Sequence, residues 1–158
     1  MRNNIKKIRQ NVFETNSSST HSICIAKNTE LTLPKEIRFT FGEFGWKHDH
    51  LYSISEKASY LITGFYQIER QDDFDKIINK LENRGIKVYI ENYDETGYNY
   101  VDHGDELAPF LNDLLESEDK LFNFLFSNLS FIITGNDNSD HNTEIEVDYE
   151  YDEYYKGN

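Results

Sequence analysis

The sequence predicts an α+β fold, a mostly antiparallel sheet of about six strands with about four helices packed on it. Three observations lead there. Apolar residues recur at helical spacing in four stretches, short apolar or alternating runs occur in six others, and those runs fall partly into hairpins rather than alternating regularly with helices. At 158 residues the chain has the size of one domain. Residues 1–158 are therefore expected to form a single acidic domain, with a basic N-terminal arm or strand at 1–11 and a loose acidic tail at 152–158.

Ser22 to Ala26 is a short apolar run, and Glu36 to Phe41 alternates as a half-buried strand does. Gly42 to Gly45 reads as a turn carrying an aromatic, and Trp46 to His50 as a loop. Ser53-Ile54-Ser55-Glu56 is a capping box, in which the serine oxygen accepts from a free backbone N–H and the glutamate reaches back. Behind it Ile54, Ala58, Leu61, Ile62, Phe65 and Ile68 share one helical face. A second helix, about Asp72 to Arg84, gathers Phe74, Ile77, Ile78 and Leu81 and stops at Gly85. Ile86 to Ile90 is a strand, and Tyr93 to Tyr98 reads as a hairpin turn into a partner strand ending near Val101. Asp105 is an N-cap candidate for a helix with Leu107, Phe110, Leu111, Leu114 and Leu115 inward, and a fourth helix runs from about Glu118 to Ser127. Ser130 to Thr134 is a strand, Gly135 to Asp140 a loop, and Thr143 to Tyr151 a long alternating strand.

The net charge of -13 would suit a disordered chain, but 11 Tyr, 11 Phe and a Trp supply the apolar surface that such chains lack. The lone cysteine, Cys24, excludes an intramolecular disulfide and lies in the apolar run Ile23 to Ile25. No stretch has the length of a membrane span, and Met1 to Lys7 lacks the apolar centre of a signal peptide, so a cytoplasmic protein is expected. Charge is unevenly distributed. Residues 1–91 carry 14 Lys/Arg against 12 Asp/Glu, residues 92–158 only 2 against 17. Arg2, Lys6, Lys7 and Arg9 form the basic start. A domain this acidic is not expected to bind DNA or RNA directly.

Two constellations bear on function. Thr15-Asn16-Ser17-Ser18-Ser19-Thr20-His21-Ser22 gathers hydroxyls, an amide and an imidazole, so Asn16, Ser17, Ser18, Ser19 and His21 can cradle an anion or small ligand. A nucleophilic site would further need a serine oxygen bonded to His21 and a third group orienting that ring. The alternative is a loop whose hydroxyls bond the local backbone. The second constellation is the acidic strand: Glu144, Glu146, Asp148, Glu150 and Asp152 would form a ladder spaced about 6.8 Å apart on one face. With Asp94, Glu95, Glu116, Glu118 and Asp119 it can compete for a groove that otherwise holds phosphates.

Other clusters point less far. His48 and His50 would face the same way on a strand and could share a metal, but without further ligands in the sequence they read as an exposed loop pair; His103 and His141 lie apart. Asn136, Asp137, Asn138 and Asp140 lack the glycine and glutamate of a calcium loop. There is neither a phosphate-binding P-loop nor a dinucleotide fingerprint, and no cofactor is expected.

Val12-Phe13-Glu14-Thr15-Asn16-Ser17-Ser18-Ser19-Thr20-His21-Ser22-Ile23 resembles the start of a group of small phage and prophage proteins of low-GC Gram-positive bacteria. Lys57 to Leu61 and Ile133 to Asn138 are also similar to segments of that group. The resemblance implies expression in a bacterial host cytoplasm and carries no catalytic residue. It also implies evasion of host defence, for instance by an anti-CRISPR inhibitor that binds a type II effector nuclease. The expected function is thus a non-enzymatic phage inhibitor whose acidic surface binds a basic, nucleic-acid-handling protein. The alternative is an enzyme or ligand-binding protein centred on Asn16 to His21.

Overall fold

The computed structural model describes residues 5–9, 19–27, 30–45, 47–93, 99–102, 104–136, 144–148 and 152–157. For 5–9, 19–20, 105, 136, 144–148, 152–154 and 156–157 it describes the backbone path alone.

The helix α1, Ile54–Gln67, is central. Ser53 closes its N-terminus as the sequence predicts: the Glu56 backbone N–H donates to Ser53 Oγ at 3.1 Å and the Ser53 N–H donates to Glu56 Oε1 at 3.3 Å. Lys57 to Phe65 are all buried, so the helix is enclosed on every side rather than laid on one sheet. Residues α2, Gln71–Asn83, bury Phe74, Ile77 and Leu81 and end before Gly85, whose φ of 82° is a left-handed conformation open to glycine. The segment Gly104–Leu107 is a 3-10 turn, followed by α3, Ala108–Glu116, and α4, Glu118–Phe126. Asp105 is therefore not the N-cap of α3; that place falls to Leu107, because the 3-10 turn takes up the residues in between. Ser117 caps α4, its Oγ accepting from the Lys120 N–H at 3.2 Å.

The α+β class and four helices match the expectation, but the single six-stranded, mostly antiparallel sheet does not form. Among the described residues ten strands make four small sheets. The largest is antiparallel and contains β2 (Ser19–Ala26), β5 (Asp49–Leu51), β8 (Phe131–Asn136) and β10 (Asp152–Gly157) in the order β10-β2-β8-β5. The strands β1 (Ile5–Arg9) and β9 (Glu144–Asp148) form an antiparallel pair. Two parallel pairs complete the set: β3 (Glu36–Phe39) with β6 (Lys87–Ile90), and β4 (Glu43–Phe44) with β7 (Tyr100–Val101).

Parallel pairing overturns the expected hairpin at Tyr93 to Val101. The α1–α2 crossover returns the chain beside β3 in the same direction, which makes β6 parallel to it. After β6 the chain leaves this ladder and rejoins it one step on, with the Tyr100 N–H donating to the Gly42 carbonyl and the Asp102 N–H to the Phe44 carbonyl. Residues 94–98, the expected turn, lie outside the described residues. Gly42 to Gly45, expected as a turn, contains β4, and the expected loop Trp46 to His50 contains the start of β5.

The acidic end differs most. Of the expected strand from Thr143 to Tyr151 the described residues are β9, and the expected loose tail at 152–158 contains β10, which pairs along β2 from Asp152↔Ala26 to Gly157↔His21. Both β10 and β8 flank the buried run Ile23, Cys24, Ile25 and Ala26, so β2 is an inner strand whose apolar sequence suits burial on both faces. The core gathers there with α1, α4 and the aromatics Phe39, Phe74, Phe110 and Phe124.

Candidate functional site

Acidic residues converge where α3 meets α4. Ser117 ends one helix and caps the next, so Asp113, Glu116, Glu118 and Asp119 fall within seven residues around a sharp corner. Glu116, Glu118 and Asp119 are exposed. The corner edges a cleft of about 370 Å³ with Leu31, Leu33 and Phe122 as apolar walls and Arg84, Glu118 and Asp119 as charged ones. Arg84 shows what the cleft accepts: its guanidinium lies 5.0 Å from the Phe122 ring centroid, with Nη1 3.8 Å from Glu118 Oε1. Both partners of that ion pair are about half exposed, so it contributes little to stability.

The corner is tied to the end of the chain. Tyr155 of β10 packs edge-on to Phe110 of α3 at 5.4 Å, and its hydroxyl donates to the Asp113 carboxylate. Asp152 and Glu153 lie on the same strand, an outer strand of its sheet among the described residues.

The ladder of five carboxylates does not exist on one strand. Glu144, Glu146 and Asp148 belong to β9, Asp152 to β10, and Glu150 lies outside the described residues, as do Asp94 and Glu95. The β1–β9 register sets Arg9 opposite Glu144 and Lys7 opposite Glu146. The basic start of the chain and the first two acids of the strand thus occupy facing positions of one antiparallel ladder.

The serine-rich segment divides. Asn16, Ser17 and Ser18 lie outside the described residues; Ser19 begins β2. His21 is 1% exposed on that inner strand. Its Nε2 is 2.7 Å from the Asp102 carbonyl oxygen, which can only accept, so Nε2 carries the proton. In the neutral ring Nδ1 then accepts from the Tyr60 hydroxyl at 3.0 Å. Complete burial raises the Tyr60 pKa far above the usual phenol value, which keeps that donor protonated. Both ring nitrogens are thus engaged in joining β2, α1 and the end of β7. Gly45 permits the junction: at φ 118° its Cα approaches so closely that a Cβ there would lie 2.7 Å from Asp102 Cβ and 3.3 Å from His21 Cε1.

Lys57 is a second buried polar centre that sequence reasoning passed over. It is 1% exposed, and its Nζ donates to the carbonyls of Ser127 at 2.8 Å and Ser130 at 3.1 Å, at the C-terminal end of α4. Desolvation pushes its pKa down to about 8, opposed by the nearby Glu56 carboxylate. A signal was present: Lys57 follows Ile54 by three and precedes Leu61 by four, the spacing of the apolar face.

His48 and His50 lie at the outer strand β5, with no loop around His50. His103, His141, Asp137, Asn138 and Asp140 fall outside the described residues, and Asn136 ends β8. Among the described residues no group of three or more potential metal ligands occurs, and no helix is long and apolar enough to cross a membrane. Comparisons with protein-family models, with curated proteins and with solved structures find no match to this chain.

Proposed function

We propose that the chain is a non-enzymatic binding protein that engages a basic, nucleic-acid-handling protein through the acidic corner of α3 and α4 together with the acid-bearing strands β9 and β10. The observation that carries this reading is the cleft beside Glu118 and Asp119. Apolar walls under a carboxylate rim fit a long basic side chain, whose methylenes lie on Leu31, Leu33 and Phe122 while its charged head meets the carboxylates. Arg84 already makes this contact from within the chain. A basic groove built for phosphate presents such side chains in rows, and carboxylates on a rigid helix corner are suitable competitors for them. The resemblance to phage proteins makes a type II CRISPR effector nuclease the partner to test first, with the host cytoplasm as the setting.

The test is DNA cleavage by a purified type II effector loaded with guide RNA, in the presence of increasing amounts of this protein. Inhibition is expected, weakened at least about tenfold and made less salt-dependent by Glu118→Lys with Asp119→Lys. Full cleavage under a large excess of the protein would sink this choice of partner. Inhibition untouched by the two reversals would sink the surface.

The rival, an enzyme or ligand site at Asn16 to His21, loses support at His21. A general base needs a lone pair exposed to substrate, whereas Nδ1 of this buried ring is taken by Tyr60.

A further inference from the structure

We propose that His48 and His50 form a chelating site for a divalent transition metal on the outer face of β5. Their Nε2 atoms face each other at 3.0 Å. With metal–nitrogen bonds of about 2.0–2.1 Å, two imidazole nitrogens on one ion stand about 2.9 Å apart at a right angle and about 3.3 Å apart at a tetrahedral angle. The observed spacing therefore falls between the adjacent positions of a tetragonal site, which suits Cu²⁺ or Ni²⁺, and the tetrahedral site of Zn²⁺.

The two rings are held where they are by the sheet and by an aromatic row. Residues 48, 50 and 52 recur at the two-residue period of an extended chain, which sets them on one face. The backbone under them is fixed by the pairing of Asp49, His50 and Leu51 with Thr134, Ile133 and Ile132, and by the Thr134 hydroxyl, which donates to the Lys47 carbonyl at 2.9 Å. The His48 and His50 rings meet edge to face at 4.8 Å, His50 stacks on Tyr52 at 6.1 Å, and Tyr52 packs on Phe131 at 5.5 Å. Tyr52 Oη is 3.5 Å from His50 Nδ1, where it can accept from an Nδ1–H and so leave the Nε2 lone pair for a metal.

Two neutral imidazoles 3.0 Å apart can instead share a hydrogen bond, one Nε2–H donating to the other Nε2. Metal binding displaces that proton to Nδ1 of the donor ring, so no net ionisation of the pair is required. Two protein ligands leave the remaining coordination positions to solvent or to a donor brought by another molecule, which makes the site exchangeable rather than structural. His50 is exposed and His48 half-buried, so the ion has direct access from solvent.

The test is calorimetric titration of the full chain, stripped of metal, with Cu²⁺, Ni²⁺ and Zn²⁺, alongside His48→Ala, His50→Ala, the double variant and His103→Ala with His141→Ala. Saturable binding of one ion per chain is expected, weakened at least about tenfold by either single substitution, lost in the double variant and unchanged by the control pair. Circular dichroism of each variant keeps loss of binding separate from loss of fold. Wild-type protein that shows no saturable binding up to millimolar metal, or a folded double variant that binds as wild type does, would overturn the proposal.

Discussion

Burial of Lys57 gives this protein a contribution to stability that rises with pH above about 8. In an unfolded chain a lysine keeps its proton until about pH 10.5, while the buried ammonium gives it up near 8. Below 8 both states are protonated and the desolvation penalty of the native ammonium is fully present, about 3 kcal/mol from the shift. Between 8 and 10.5 the unfolded lysine binds more proton than the native one, so its contribution to stability increases with pH, and about 2 to 3 kcal/mol of that penalty is removed between pH 7 and pH 10. Tyr60 acts oppositely. Its raised pKa means the unfolded phenol ionises first, so stability falls as the pH passes the ordinary tyrosine value of 10.0. Lys57→Met isolates the lysine, because the tyrosines are common to both chains. Urea melts of wild type and variant at pH 7, 8, 9 and 10 should give a stability difference that shifts toward wild type by about 2 to 3 kcal/mol over that range. Parallel pH profiles would refute the reasoning, since they would mean that Lys57 titrates alike in the folded and unfolded chain.

Two substitutions test the His21 junction. Tyr60→Phe removes the hydroxyl that donates to His21 Nδ1 inside the core, so chemical denaturation should show a loss of about 1–3 kcal/mol; wild-type stability would mean that the ring does not depend on that bond. Gly45→Ala forces a side chain into a left-handed backbone and against Asp102, and a thermal melt should show a loss of about 1–3 kcal/mol; an unchanged melting temperature would show that the chain relaxes there without cost.

What was legible in the sequence was local. The α1 capping box and the Gly85 stop each depend on residues within four positions of one another, and each is found as expected. The strands that were missed are ones whose pairing is decided far away: β4 has two residues and exists because β7 lies alongside it, and β5 is aligned by β8 more than eighty positions later. The break between β9 and β10 has the same origin. Alternation from Thr143 to Tyr151 suits one strand, but β9 pairs with β1 and β10 with β2, two partners in different sheets. The polar neighbours of His21 suggest a surface loop, whereas the apolar Ile23 to Ala26 that follows draws it into the inner strand. Nothing within reach of His21 along the chain announces Tyr60 or Asp102, which lie 39 and 81 positions away.

The division of charge in the sequence acquires a different meaning once the register is known. A chain whose basic start and acidic end remained apart would present two opposed poles. Here β1 lies along β9, with Lys7 opposite Glu146 and Arg9 opposite Glu144 in register, so the basic start and part of the acidic end share one ladder. Tyr155 joins β10 to the acidic α3–α4 corner through Phe110 and Asp113. That joint matters energetically. A carboxylate on a mobile tail must lose chain entropy before it can meet a cation on a partner, whereas one on a paired strand braced against a helix has already lost it on folding. An acidic end built as a tail would bind a basic groove weakly and in many registers. A paired strand and a helix corner offer fixed backbone positions, and fixed positions let carboxylates discriminate one arrangement of basic side chains from another.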